Sequence, residues 1–260
     1  MSRVGRIRAE ATAAGLSFLR RKTAVFFTFF FPVILVVIFG ALVRTRPGGG
    51  GLFAAPPAYY VPGYLATVVL FTPLSRIGSE IARHRDDHRF EKLATTPLSR
   101  AEWLAAHTLV NAGIIGVASL LILVLVVVLT GASLPLSPAL LLLVPFVGLG
   151  VVLFCGFGAI LGRIADSQDG VIAMSNTIAL PLLFLSDTFI SPGLLPDWFA
   201  VVEFASPLTY FARGVRAVTF DTAGTSLPAP PMGLLGNLAV LTVLAVVFFV
   251  VGAAAVPRTE

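Results

Sequence analysis

The chain holds 260 residues, 57% of them hydrophobic and 12% charged, with a mean hydropathy of +0.95. Soluble domains carry about 25% charged residues, so the composition excludes an ordinary soluble fold and points to an all-α polytopic membrane protein. The net charge of +5 reads as Lys/Arg-rich cytosolic loops, with no nucleic-acid partner, and the single Cys155 excludes an intrachain disulfide or a cysteine-built metal cluster.

Residues 1–22 set Arg3, Arg6, Arg8, Arg20, Arg21 and Lys22 against Ile7, Ala11, Ala14, Leu16, Phe18 and Leu19. That mixture predicts an amphipathic helix at the membrane surface, distinct from a transmembrane domain over 23–260. The first predicted span is 24–43; its apolar run is too long for a signal peptide, and no A-x-A site follows. Residues 44–57, with four consecutive glycines and three prolines, form a loop. Further spans follow at 60–78, 105–130, 138–161, 171–186 and 234–256, six in all. With the N-terminus inside, 14 of the 18 Lys/Arg residues fall on the cytosolic side, which orients both termini to the cytosol of a cell-membrane protein.

Only two lysines occur, Lys22 and Lys92, and neither follows a glycine. No G-x-x-x-x-G-K-[ST] phosphate loop is possible, so the chain is not read as an enzyme, and it holds no cofactor of its own. Energy for transport would come from a partner or an ion gradient. The span interiors carry no ionisable residue at mid-depth, which argues against a proton-coupled carrier. Asn111 and Asn176 read as hydrogen bonds between helices, and Asp187 falls at the outer interface. The sequence H-R-D-D-H, 84–88, suggests a competing reading, an intramembrane zinc hydrolase. Asp87 stands where that pattern needs Glu, and His107 is the only other histidine. A solvated, charge-laced helix explains the same residues without metal.

Eight charges crowd into positions 80–92, four acids against four bases. Arg83 faces Asp86 and Asp87 at helical spacing, but Asp87 with Glu91 and Arg85 with Arg89 repel, so intrahelical pairing alone does not explain the island. Phe90 and Leu93 would be exposed unless something covers them. Thr95, Thr96 and Pro97 end the helical pattern, and Ser99 with Glu102 forms a capping box that starts the third span. The segment is thus a short cytosolic helix, a break and a capped helix, built to dock another protein. Gly158 and Gly162, spaced G-x-x-x-G, permit close helix contact, within the subunit or at a dimer seam.

The stretch E-I-A-R-H-R-D-D-H-R-F-E-K-L-A-T-T-P-L-S-R resembles the E-R-E-x-G-T-L-E-x-L-x-x-T-P-[LM]-[ST]-R segment of ABC-2 type transporter permeases. A second resemblance lies before the last span: Pro192, Leu195, Pro196, Trp198, Pro207, Leu208, Thr209, Tyr210 and Arg216 match that family's pattern, with Ser206 where Asn is usual. The resemblance implies a dimer of six-span subunits, alike or different, paired with an ATPase subunit that binds ATP and Mg and drives efflux of a drug, lipid or glycan. It makes 1–22 the interface helix. It makes Arg83, Arg85, Asp86, Asp87, Arg89, Phe90, Glu91, Leu93, Thr96, Pro97 and Leu98 the coupling helix that the ATPase grips. Arg163, Asp166 and Asp169 become a second cytosolic contact, and Pro192, Pro196, Trp198, Pro207, Tyr210 and Arg216 an outer re-entrant segment. The family's Gly-Thr is His88-Arg89 here, which implies a different curvature at the docking site.

Overall fold

The computed structural model describes residues 2–42, 55–135, 137–189, 199–220 and 232–257, and among them every regular element is helical. Helix α1 (Arg3–Arg20) starts at Ser2, whose hydroxyl accepts from the Gly5 amide at 3.2 Å. Arg21 leaves helical geometry, and α2 (Lys22–Leu35) follows at once, continued by a π-helical stretch, Val36–Leu42. A 3-10 turn (Pro57–Tyr60) leads into α3 (Val61–Asp86). The short α4 (Arg89–Ala94) joins it to α5 (Arg100–Thr130). A second 3-10 turn (Pro138–Leu142) precedes α6 (Leu143–Ile164), and α7 (Gln168–Phe184), α8 (Phe199–Ala205), α9 (Pro207–Thr219) and α10 (Leu234–Ala255) complete the order.

Five segments are long and apolar enough to cross a membrane: Lys22–Gly40, Pro57–Asp86, Arg100–Thr130, Pro138–Ile164 and Leu234–Ala255. They fall on the first four and the last of the predicted spans. The predicted fifth span, 171–186, is α7, whose 17 residues rise about 25 Å at 1.5 Å each, short of a ~30 Å hydrocarbon core. Large side chains on one face of several long helices stand bare, among them Phe26 and Phe27 on α2, Leu120 and Val128 on α5, and Val246 and Val250 on α10. This apolar belt is what a bilayer, in place of water, would wet.

α3 is the central helix, with both its N-terminal stretch, residues 61–70, and the residues Leu74, Ile77 and Ile81 buried. It packs on α6, and α6 packs in turn on α10. Glycine makes both approaches possible. A Cβ on Gly158 would meet the Leu74 carbonyl at 2.5 Å, and one on Gly162 would meet the Gly78 carbonyl at 2.7 Å. On another face of α6, Gly156 lies against the backbone of Gly252 and Phe248 in α10. The Gly158/Gly162 pair therefore packs within the subunit. Gly78, expected to end the second span, is used for this contact, and α3 runs on through Asp86. Helix α5 likewise begins at Arg100, five residues before the predicted span.

Candidate functional site

The charge island does not form one helix. Its first half, through Asp86, is the last turns of α3, and His88 then takes a left-handed conformation, φ 52°. Among the described residues His88 is the one non-glycine position with positive φ. This is where the resembling family has glycine, the residue that adopts such angles without steric cost. The turn re-aims the chain, and α4 runs for six residues only. Thr95 and Thr96 close it, donating from their hydroxyls to the carbonyls of Lys92 (2.8 Å) and Leu93 (2.7 Å). Pro97 prevents continuation, and the capping box of α5 follows: the Glu102 amide donates to Ser99 Oγ at 3.2 Å, and the Ser99 amide donates to Glu102 Oε2 at 2.8 Å.

Phe90, expected to be exposed for a partner, is only 5% exposed. Its ring meets His84 of α3 and Trp103 of α5 edge-on, with centroids 5.5 and 5.8 Å apart. It pins α4 into the angle between two spans. Leu93 and Leu98 also pack partly on the core. What α4 and its flanks present to solvent is Asp86, Asp87, Arg89, Glu91, Thr96 and Pro97, with Lys92. Arg89 pairs with Asp87 at 3.4 Å and His88 meets Glu91 at 3.2 Å. Arg83 pairs back along α3 with Glu80. Arg85 donates to the Ala165 carbonyl at 2.7 Å, which brings the 163–170 turn beside the end of α3. In that turn Arg163, Asp166 and Asp169 are exposed. Ser167 caps α7 by accepting from the Gly170 amide at 3.1 Å, and Asp169 sits in the first turn, complementing the helix dipole.

Three further ties were not legible in the sequence. Glu102, besides capping α5, holds Arg6 of α1 in a forked pair, at 2.5 Å to Nη2 and 3.2 Å to Nε. The pairing raises the Arg6 guanidinium above its ordinary pKa. Glu10 meets His107 at 3.3 Å, one turn further along α5. Phe18 lies under the Arg76 guanidinium, 4.2 Å from its ring centre. Helix α1 is thus fastened to the start of α5 and to α3. The histidines of the H-R-D-D-H stretch are not neighbours on one helix face, because His84 is buried and His88 sits at the exposed break. Among the described residues no group of three or more His, Cys, Asp or Glu could hold a metal.

At the other end of the bundle a second cluster is buried. Asp187, placed at the outer membrane interface by the sequence, is 2% exposed, and Glu203 and Arg213 are each 3% exposed. Arg213 donates to Asp187 Oδ2 (3.0 Å) and Glu203 Oε2 (2.7 Å). Arg216 donates to Asp187 Oδ2 (3.2 Å) and to the Asp187 carbonyl (2.5 Å), and it stacks over Tyr59 at 4.2 Å. The sequence expected no ionisable residue at mid-depth of a span; this cluster lies at one end of the bundle, where two acids and two bases offset each other's charge, the condition for enclosing them. Pro207 opens α9, and Tyr210 donates its hydroxyl to the Phe204 carbonyl at 2.9 Å. Pro192, Pro196 and Trp198 lie outside the described residues. The one signal in sequence was Arg213 and Arg216, three apart on a helix whose neighbours Leu208 and Phe211 are apolar. Among the described residues the two asparagines make no hydrogen bonds between helices: Asn111 donates to the His107 carbonyl of its own helix at 2.9 Å, and Asn176 is exposed.

An apolar belt on five helical segments long enough to cross a bilayer defines a multi-pass helical membrane protein. The ABC-2 type transporter family matches residues 7–220, and the chain belongs to that family, as a membrane subunit of an ABC transporter. It is similar to the daunorubicin resistance ABC transporter permease protein DrrB1 of Streptomyces coeruleorubidus, 33% identical over 66 residues. That stretch spans 25% of this chain and 23% of the relative.

Proposed function

We propose that this chain forms, as a homo- or heterodimer, the membrane channel of an exporter driven by a separate ATPase subunit. ATP and Mg are bound in that subunit. The observation that carries the reading is the construction of the α3–α4–α5 corner. A short helix is locked to two long spans by Phe90, Trp103 and a capping box, while it turns a mixed rim of acids and bases outward. A partner that closes on this rim would displace α3 and α5 as stiff levers. The exposed turn at Arg163, Asp166 and Asp169, hydrogen-bonded to Arg85, extends the same contact. Helix α1 is the interface helix, and α7, whose 17 residues meet the lower end of the about 17–25 that a span uses, completes six spans with both termini in the cytosol of the cell membrane. The cluster around Arg213 holds the exit-side helices α8 and α9 to Asp187 at the end of α7 and to Tyr59 of the Pro57–Tyr60 turn. The daunorubicin resistance role of the relative favours efflux of a drug-like or lipid-like molecule. Purification of the chain from native membranes in mild detergent is expected to recover a soluble ATPase. The double reversal Arg89→Glu with Glu91→Arg is expected to lose that ATPase while the chain stays folded. Retention of the ATPase by this variant would sink the docking assignment.

A further inference from the structure

A groove of about 730 Å³ runs between α1–α2, α3 and α7, within the ~300–1,000 Å³ usual for ligand sites. Its wall from α2 includes Phe27 and Phe31, 57% and 47% exposed, so it is continuous with the apolar belt. Phe71, Thr72 and Ser75 of α3 line the opposite wall. Three charged side chains line it. Arg21 and Glu80 pair with each other at 3.6 Å, and Glu80 also pairs with Arg83. Arg76 remains: among the described residues its guanidinium makes no ion pair or hydrogen bond, and its Nη1 is buried without a partner. Arg76 stacks on the Phe18 ring and has only the more distant Glu80, already paired elsewhere, as a counter-charge, so the groove carries an excess positive charge beside an exposed apolar wall. A cationic amphiphile would meet a cation there and find the one carboxylate already taken.

We propose that this groove binds an anionic phospholipid, its acidic head group at Arg76 and its chains along Phe27, Phe31 and Phe71. Basic pockets between membrane helices recognise such head groups through the same combination of charge and exposed apolar wall. Arg76 lies ten residues, about 15 Å of helix, from the charged end of α3. The head group thus sits in the leaflet nearest α4; that this is the cytosolic leaflet rests on the orientation proposed above, and the head-group preference does not.

The test uses the full chain with its co-purified ATPase in nanodiscs of equal phosphatidylglycerol and phosphatidylcholine, partly delipidated and weighed by native mass spectrometry. One additional ion pair at a membrane surface predicts about a fivefold preference for retained phosphatidylglycerol. Arg76→Gln is expected to abolish the preference and Arg76→Lys to keep it. Equal retention of the two lipids, or an undiminished preference in Arg76→Gln, would overturn the proposal. So would a disulfide between two copies of a Phe27→Cys chain that forms whether or not phosphatidylglycerol is present, because a second copy would then fill the groove. If Arg76→Gln fails to fold, Thr72→Trp narrows the groove with Arg76 in place. Loss of the retained phosphatidylglycerol in that variant supports the site, and its persistence overturns it.

Discussion

Arg213 pairs with two enclosed carboxylates at once; Asp187 shares it with Arg216, while Glu203 makes no other ion pair among the described residues. Truncation to alanine strands the Glu203 carboxylate and leaves Asp187 with Arg216 alone, and breaking a buried pair in this way costs about 3–5 kcal/mol. Arg213→Ala is therefore expected to melt well below the parent in detergent, by circular dichroism or tryptophan fluorescence. Arg213→Lys should fall between, since an ammonium cannot fork to Asp187 and Glu203 as the planar guanidinium does. His88 offers a milder test of one residue. Its left-handed backbone costs an L-residue about 1–2 kcal/mol, and a β-branched side chain tolerates it least. His88→Val should lower the melting temperature, and His88→Gly should leave it level or raise it. A His88→Val chain as stable as the parent would show that the turn does not depend on this angle.

Among the elements, α4 separates two roles that one stretch of sequence had merged. Phe90 is part of the core, and removing a buried phenylalanine costs about 3–5 kcal/mol. Phe90→Ala is expected to reduce the yield of folded chain and thus to lose the ATPase indirectly. The double reversal at Arg89 and Glu91 acts on exposed groups, so size-exclusion profiles of the two variants should differ. The clamp between α1 and α5 predicts a third behaviour. Glu102→Gln keeps much of the capping geometry but loses the charge that holds Arg6. ATP hydrolysis by the bound partner is expected to persist in that variant while transport weakens.

How much of this was readable beforehand follows from the range of each interaction. Spans show in composition, because about 20 apolar residues in a row have few other uses. The Ser99–Glu102 box showed because its partners are three residues apart. The direction in which Phe90 points, the pairing of Arg6 with a residue 96 positions away, and the enclosure of Asp187 by Arg213 and Arg216 depend on how distant helices dock. No local period encodes that docking. Leu93 illustrates the middle case: its apolar character was plain, and the surface that receives it was not.

For the whole molecule, the α3–α6–α10 stack is held at backbone contact, and no side chain can yield at Gly158 or Gly162. Gly158→Leu is expected to abolish the folded monodisperse species, with Gly148→Leu, where a Cβ meets open space, as the tolerated control. Equal behaviour of the two would remove the stack from its central place. Assembly with the ATPase should also weaken between 0.05 and 0.5 M salt, since the rim is exposed and the screening length shrinks to about 4 Å over that range. A hydrophobic contact would instead hold or tighten.

The separation of anchor from rim at α4 bears on how such subunits change partners. Asp86, Asp87, Arg89, Glu91 and Lys92 can be rewritten together without disturbing the packing behind Phe90. A six-residue graft from a sister permease, leaving the aromatic in register, should redirect this chain to the sister's motor. The corner behaves as a socket with a fixed thread and an interchangeable key.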